Sequence, residues 1–338
     1  MNILFFGLGG IGQRHLRIIK KLKPKSKIFA YRKSSYKFEI DDNLKKNSKI
    51  NIIDKYSITT LSSDKDLNFK KFDLAIITNP TSEHLTTCIK MLKNNVPFFV
   101  EKPFSHNNSN FHTFMKLIKK SHLKFYVGYM MRFHPQTMLI HNLLNSKNTI
   151  GKVHSVTINA NSFMPDWHKY ENYKDLYASN KKLGGGILLT ECHELDLMNF
   201  LFSKPQIIFK YSKKLSNYNI NVEDNALSIL KYKYLGKSFL CSFQSSFVQK
   251  TNYRNLVILS DKYFIKWDIF NSILEIKDYK RDLITKNTIP NFNRNIMFEK
   301  QMKFIFKDLE INNSKSKFFD LNILTHKTLV SLSNSKNL

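Results

Sequence analysis

The sequence predicts an α/β protein in two parts. An N-terminal half builds a parallel sheet from alternating strands and helices, and a second half pairs closely spaced strands antiparallel. Three observations carry this reading. The chain opens on four apolar residues, Ile3 to Phe6, that run straight into a cluster of glycines. Short apolar runs then alternate with helix-length segments to about residue 130, which implies parallel pairing. From about residue 150 strands follow one another with few helices between them, joined by turns such as "LG" and "SD", which implies antiparallel pairing.

The first strand ends in Gly7-x-Gly9-x-x-Gly12, and an amphipathic helix follows, with Leu16, Ile19 and Leu22 on one face and Pro24 ending it. Strand, G-x-G-x-x-G and helix together form the pattern of a dinucleotide site. Gly7 allows the tight turn out of the strand, Gly9 lets backbone approach a pyrophosphate, and Gly12 lets the helix pack closely on the sheet. Gly10 and Ile11 lie in the same turn, where the unpaired N–H groups of the helix would hold the phosphates. The hexapeptide alone also fits an ordinary strand-to-helix turn; its place at the first turn of an alternating half favours the dinucleotide.

The second strand, "KIFAYR", ends without the Asp or Glu that would bind a ribose 2′-hydroxyl. Arg32, Lys33, Ser34 and Ser35 stand there instead, a set suited to a 2′-phosphate, so NADP(H) is favoured over NAD(H). Further strands are expected at "FDLAIIT" (72–78), "PFFVEK" (97–102) and "KFYVGYM" (124–130), with helices at "SEHLTTCIKMLKNN" and "NFHTFMKLIKKS". The strand at 97–102 runs into Glu101-Lys102-Pro103. Ligands of open parallel sheets bind beyond the carboxyl ends of the strands, so Lys102 points at the crevice where a nicotinamide would lie.

In the second half, "KVHSVTINANSF", "QIIFKYSK", "NALSILKYKY", "KSFLCSFQSS", "YRNLVILS" and "FIKWD" read as strands. One strong helix, "ILLTECHELDLMNFLF", is led by Gly184 to Gly186, and two shorter helical patterns follow Arg294. The strong helix puts His193 and Asp196 three residues apart, at neighbouring positions. An imidazole beside a carboxylate exchanges a proton near neutral pH while the carboxylate fixes its tautomer; a core histidine bonded to an aspartate would look the same.

Composition narrows the function. At 338 residues the chain holds two domains with their own cores, and no long uncharged apolar run or leading basic stretch marks a membrane span or signal peptide. A cytoplasmic protein is the expectation. Cys88, Cys192 and Cys241 are widely spaced and odd in number, which points to reduced thiols and to no metal site. The net charge of +28 comes from scattered lysines accompanied by Asn and Ile. Without a zinc-finger, basic-zipper or aromatic RNA motif it suggests no specific nucleic-acid partner, and an anionic small ligand fits the charge as well.

The opening that ends at His15, the "TNPTSEH" loop from Thr78 to His84, the Glu-Lys-Pro, "GYMMRFHP" and the Gly-Gly-Gly…His…Asp helix together resemble the Gfo/Idh/MocA oxidoreductases, over nearly the whole chain and in order. The resemblance implies a Rossmann domain with a doubly wound parallel sheet over residues 1–128. It implies an α+β domain with an open-faced, mainly antiparallel sheet over 129–338, used for substrate binding and for a homodimer or homotetramer. It implies hydride transfer between a nicotinamide and a sugar, sugar-nucleotide or cyclitol, with no membrane insertion. It assigns Thr78, Asn79, Pro80, His84 and Glu101 to the cofactor, Lys102 to both cofactor and catalysis, and His193 to the catalytic acid/base. Many members carry an Asp four residues before that histidine; this chain has Leu189, with Thr190 and Glu191 the nearest polar residues. "GGGILLTECHELD", "PDWHKYENY" and "YASNKKLGGG" resemble a branch associated with bacterial surface-sugar clusters, nonulosonic acid pathways included.

Tyr129 and Arg132 fall where the two domains should meet, and Arg132 would hold a ligand carboxylate or phosphate bidentately unless both residues serve packing. Asp166, Trp167 and His168 would form a pocket rim, tryptophan stacking on a sugar face, or a plain turn after Pro165. Three other readings stay open: an NADP-binding sensor without catalysis, a basic nucleic-acid binder on the same scaffold, and an enzyme that recycles a tightly held cofactor.

Overall fold

A computed structural model describes residues 1–32, 37–146, 150–167, 170–311 and 315–334. Strand β1 (Asn2–Phe6), helix α1 (Gly10–Leu22) and β2 (Lys27–Tyr31) are followed by a hairpin, β3 (Phe38–Ile40) and β4 (Lys46–Asn51), by the short α2 (Ile52–Lys55) and by β5 (Thr59–Leu61). Then come β6 (Leu74–Ile77), α3 (Thr81–Lys93), β7 (Phe98–Val100), α4 (Phe111–Lys120) and β8 (Phe125–Val127). Six of these strands form one sheet in the order β5-β2-β1-β6-β7-β8, every pair parallel. β1, β6 and β7 are apolar on both faces, as strands covered by helices on both sides must be, and their residues from Ile3 onward are almost wholly enclosed.

The second part contains α5 (Pro135–Leu144), β9 (Val153–Phe163), α6 (Ile187–Thr190), α7 (His193–Phe202), β10 (Gln206–Lys213), β11 (Asn225–Tyr234), β12 (Lys237–Ser246) and β13 (Val248–Ser260). It closes with β14 (Tyr263–Asp268), β15 (Ile273–Asp278), β16 (Leu283–Thr288), α8 (Asn295–Glu310) and α9 (Phe319–Ser333). Its eight-stranded sheet has the order β10-β11-β12-β9-β13-β14-β15-β16 and is antiparallel except where β12 meets β9. Strand alternation gives it one buried face: Ile158, Leu230, Tyr232, Cys241 and Phe243 are buried, and Phe202 of α7 lies edge-on to Phe239 at 4.9 Å.

The structure departs from the sequence reading in three places. The hairpin β3–β4 and the strands β5, β15 and β16 are additional; β16 is exposed at every position and so carries no apolar alternation. The single strong helix is two, α6 and α7, broken at Glu191 and Cys192. The two helical patterns after Arg294 are full helices of 16 and 15 residues, and they return to the first sheet.

There they cover its open edge. Lys124 O accepts from Phe98 N of β7, so alternate carbonyls of β8 face away from the sheet. Those of Phe125 and Val127 accept hydrogen bonds from Ser316 Oγ (2.9 Å) and Gln301 Nε2 (3.1 Å). Tyr126 OH donates to Asp308 Oδ2 at 2.8 Å, and Phe319 packs edge-on to Phe125 at 5.3 Å. An edge strand that would otherwise offer unpaired backbone to another chain is thereby satisfied.

Candidate active site

The turn after β1 is shaped for a phosphate. Gly7 holds φ +96°, and a Cβ there would fall 2.8 Å from the Thr78 carbonyl. A Cβ on Gly12 would fall 2.7 Å from Thr78 Oγ1 and 2.8 Å from Gly7 O, so α1 approaches β6 more closely than any side chain permits. Gly9, by contrast, has nothing within 4 Å of its missing Cβ, and it gives α1 no side-chain cap and no acid in the first turn. The leading N–H groups of Gly10 and Ile11 are thus left for an external anion, and the turn fits the pyrophosphate of a dinucleotide. Tyr170 reaches this turn from the second domain: its hydroxyl lies 3.2 Å from the Cβ position of Gly10.

Arg32 follows β2 directly, its N–H bonded to Leu61 O at 3.1 Å and its guanidinium pulled below the ordinary range by burial. Lys33, Ser34 and Ser35, expected beside it, lie outside the described residues. Thr78 Oγ1 donates to Gly7 O at 2.8 Å, tying the turn after β6 to the one after β1. Asn79 donates to Glu83 and Thr87, and Pro80 precedes α3. His84 stands between Pro103 O (2.8 Å) and Asn79 O (2.9 Å). Burial holds its ring below the ordinary range despite both carbonyls, so the neutral imidazole donates to one of them, and both nitrogens face the two loops it lies between.

Past β7 the chain presents two charged residues in different roles. Glu101 turns inward: Oε1 is 2.7 Å from Nε2 of the buried His15, and Oε2 accepts the Lys102 N–H at 3.0 Å. Burial pushes its carboxyl up, but the hydrogen bond and charge of His15, with the charge of Lys102, outweigh it and hold the carboxyl below the ordinary range. Lys102 turns outward, and its Nζ donates to Thr190 O at 2.8 Å. That carbonyl belongs to the last residue of α6. Burial draws the Lys102 ammonium down, while Tyr177, Cys192, Glu191 and Glu101 around it raise it further, so it stays cationic.

His193, the first residue of α7, is 6% exposed. Burial, then the charges of Lys102, Arg254, Arg294 and Arg132, push it well below the histidine range, so its imidazole is neutral. Nδ1 is enclosed without a partner, which leaves Nε2 as the nitrogen facing outward. Tyr129 is fully buried, its ring edge-on to His193 at 6.4 Å and its hydroxyl unpartnered.

Asp196 does not orient this histidine, contrary to what the spacing suggested. Its carboxylate accepts from Arg132 Nε (2.8 Å), from the second Arg132 nitrogen (2.6 Å) and from Thr325 Oγ1 (2.9 Å). Arg132 is equally enclosed, so its fork holds a carboxylate of the protein and is closed to a ligand. Asp166 is exposed, whereas Trp167 is partly buried, edge-on to Phe247 at 5.1 Å with Nε1 donating to Ser162 Oγ at 3.2 Å. His168 lies outside the described residues. Leu189 is buried in α6.

Sequence reasoning missed Arg254. From β13 it bonds Glu194 through two nitrogens, one contact at 3.0 Å, and Glu191 at 2.9 Å, bridging the break between α6 and α7. No local signal marks it, because its partners lie about 60 residues away in sequence.

Two family models match the chain. One, described as an oxidoreductase family with an NAD-binding Rossmann fold, matches residues 1–129; the other, described as a Gfo/Idh/MocA C-terminal domain, matches residues 140–265. Similar solved structures include the dehydrogenase MviM from Clostridium difficile, 20% identical, covering 99% of each chain with a TM-score of 0.74. They include myo-inositol 2-dehydrogenase from Lactobacillus plantarum, 15% identical over 98% of this chain and 96% of that one, with a TM-score of 0.74. UDP-N-acetylglucosamine 3-dehydrogenase GnnA from Acidithiobacillus ferrooxidans is 14% identical over 98% and 96%, with a TM-score of 0.70. At these identities the likeness is one of fold. No curated protein matches the chain.

Proposed function

The chain belongs to the Gfo/Idh/MocA family of NAD(P)-dependent oxidoreductases, and on that premise we propose that it interconverts a hydroxyl and a keto carbon of a sugar, sugar-nucleotide or cyclitol. The observation that carries the reading is that Lys102, beyond the carboxyl end of β7, is held cationic and donates to the last residue of α6, while His193, which opens α7 just past the break, is held neutral. The structural neighbours that act on inositol and on a UDP-sugar agree with it.

A bound dinucleotide, its pyrophosphate held by the turn of Gly7, Gly9, Gly10, Ile11 and Gly12, would supply the hydride acceptor or donor. In the oxidising direction, His193 Nε2 takes the hydroxyl proton as hydride leaves the same carbon, and the Lys102 ammonium orients the oxygen and stabilises its developing negative charge. In the reducing direction His193 returns the proton. Because the protein disfavours its charged form, the imidazole is already in the accepting state and releases the proton readily. The acid-free turn at Arg32 supports NADP(H) over NAD(H). The outer face of the second sheet supports a homodimer or homotetramer: Leu240 and Leu259 are exposed in one row across Ser155, with Leu227 further along β11.

The test is absorbance of the reduced nicotinamide with a panel of sugars and keto-sugars. His193→Ala and Lys102→Ala should each lower turnover by about a hundredfold or more and leave NADPH affinity nearly unchanged. Normal turnover in a folded His193 variant would sink the acid/base assignment. NADPH binding without turnover of any compound would mark a sensor. In the same titrations NADPH should bind more tightly than NADH, and Arg32→Ala should erase much of the difference.

A further inference from the structure

We propose that Tyr170, carried in by the second domain, belongs to the dinucleotide site: its hydroxyl donates to the pyrophosphate and closes the phosphate turn from across the domain boundary. This rests on the oxidoreductase reading above and adds a cofactor contact that the first domain does not supply.

Gly9 and Gly10 bring no side chain to the phosphate turn, and their surroundings differ. Nothing lies within 4 Å of the missing Cβ of Gly9, so the space over it is open. A Cβ on Gly10 would instead lie 3.2 Å from the Tyr170 hydroxyl and 3.8 Å from two side-chain carbons of Ile40. Ile40, the last residue of β3, is fixed to α1 because Gln13 Oε1 accepts its N–H at 2.7 Å. An apolar wall from one domain and a hydroxyl from the other thus flank Gly10, next to the N–H groups that the start of α1 leaves unpaired.

The segment that follows Tyr170 is bonded within itself and tied down at its far end. Asn172 Oδ1 accepts from Lys174 N at 3.1 Å, Ser179 Oγ lies 2.7 Å from Leu176 O and 2.9 Å from Lys174 O, and Tyr173 packs on Tyr218 with ring centroids 5.8 Å apart. At Gly184, which holds φ +81°, a Cβ would fall 2.9 Å from His106 Cβ and 3.0 Å from Cβ of Thr81, the first residue of α3. The segment therefore meets the first domain at the turn after β1 and again after β6. A dinucleotide on such a sheet crosses the carboxyl ends of the strands with its pyrophosphate at the glycine turn, so the segment follows its course. Burial, then the charge and hydrogen bond of the neighbouring Glu171, hold the Tyr170 phenol above its ordinary range, so it keeps its proton near neutral pH and is a donor. Glu171 is exposed and can return to water when a pyrophosphate oxygen takes the hydrogen in its place. A tyrosine on a bonded segment is ordered before the ligand arrives, which spares the entropy of fixing it.

The test is fluorescence titration and stopped-flow release of NADPH or NADH, whichever the full-length wild type binds more tightly. ADP-ribose, which has the pyrophosphate and lacks the nicotinamide, serves as a competing probe. Tyr170→Phe keeps the ring and removes the hydroxyl alone, so affinity for the reduced dinucleotide should fall about tenfold, chiefly through faster release. Affinity for ADP-ribose should fall by a similar factor, and the variant should melt as the wild type does. Glu171→Ala removes the competing acceptor and should bind at least as tightly as the wild type. If Tyr170→Phe binds the dinucleotide within about twofold of the wild type, the contact is refuted. It is refuted also if ADP-ribose is unaffected, which would move the effect away from the pyrophosphate, or if Glu171→Ala loses as much as Tyr170→Phe, which would make the bond between the two residues a structural one. Turnover is read separately. Dinucleotide binding that depends on the hydroxyl, without turnover of any sugar, leaves Tyr170 standing and removes the oxidoreductase reading; a wild type that binds neither dinucleotide removes both.

Discussion

Asp196 carries three hydrogen bonds from Arg132 and Thr325 in a place solvent does not reach. It was legible in the sequence as a carboxylate three residues after a histidine, but not as the partner of a residue 64 positions away. Spacing along one helix says which side chains are neighbours, and it is silent on which of them a distant strand or helix will claim. The placement of Lys102 at a strand end and of His193 on a glycine-led helix was legible because both are local patterns; Arg254 was not, since it reaches Glu191 and Glu194 only through β13. Removing one partner of an enclosed ion pair leaves the other charged and unsolvated. Asp196→Asn should therefore destabilise the protein by about 3–5 kcal/mol in urea denaturation, while the double change Arg132→Met with Asp196→Leu should recover much of that loss. A loss below about 1 kcal/mol in the single variant would mean that water reaches Arg132.

Between residues, the elements show where periodicity misleads. Apolar spacing continues through 187–202 and predicts one helix, yet α6 ends at Thr190 because Lys102 takes its carbonyl while Arg254 holds Glu191 and Glu194 on either side. These are tertiary forces that no window of sequence contains. The central strands were legible from their apolar runs, whereas β5, β15 and β16 sit at sheet margins where half-exposed positions blur the pattern. Two helices also carry the acid response. His326 of α9 is enclosed against Phe111 and Phe104, and His134, which caps α5, packs on Trp267 and Phe292. Burial brings each ring down to about 4. As pH falls below the unfolded value near 6.5, the unfolded chain binds the protons first, so this stability is complete above about 6.5 and declines toward 4, by about 2 kcal/mol per ring at pH 5. His326→Phe should narrow the gap between denaturation midpoints at pH 7 and pH 5; an unchanged gap would show that His326 is not part of the acid response.

For the molecule as a whole, the feature with the widest reach is the return of α8 and α9 to the edge of the first sheet. The two sheets are consecutive in sequence, but the first is finished by the chain that follows the second. A fragment of residues 1–290 should leave the carbonyls of Phe125 and Val127 and the apolar face around Phe319's seat bare, and it should sediment or stain with a cross-β dye where the full chain stays in solution. A soluble, cooperatively melting fragment would show that β8 needs no cover. The order of events in the cell follows from the same geometry. At about 5–20 residues per second, the ribosome needs roughly 10–30 s to pass from β8 to α8. Throughout that interval the nascent first domain holds all six strands and still lacks its wall, so a holdase near the exit tunnel, or a translation rate that shortens the wait, should raise the yield of native protein more than any change to the cleft.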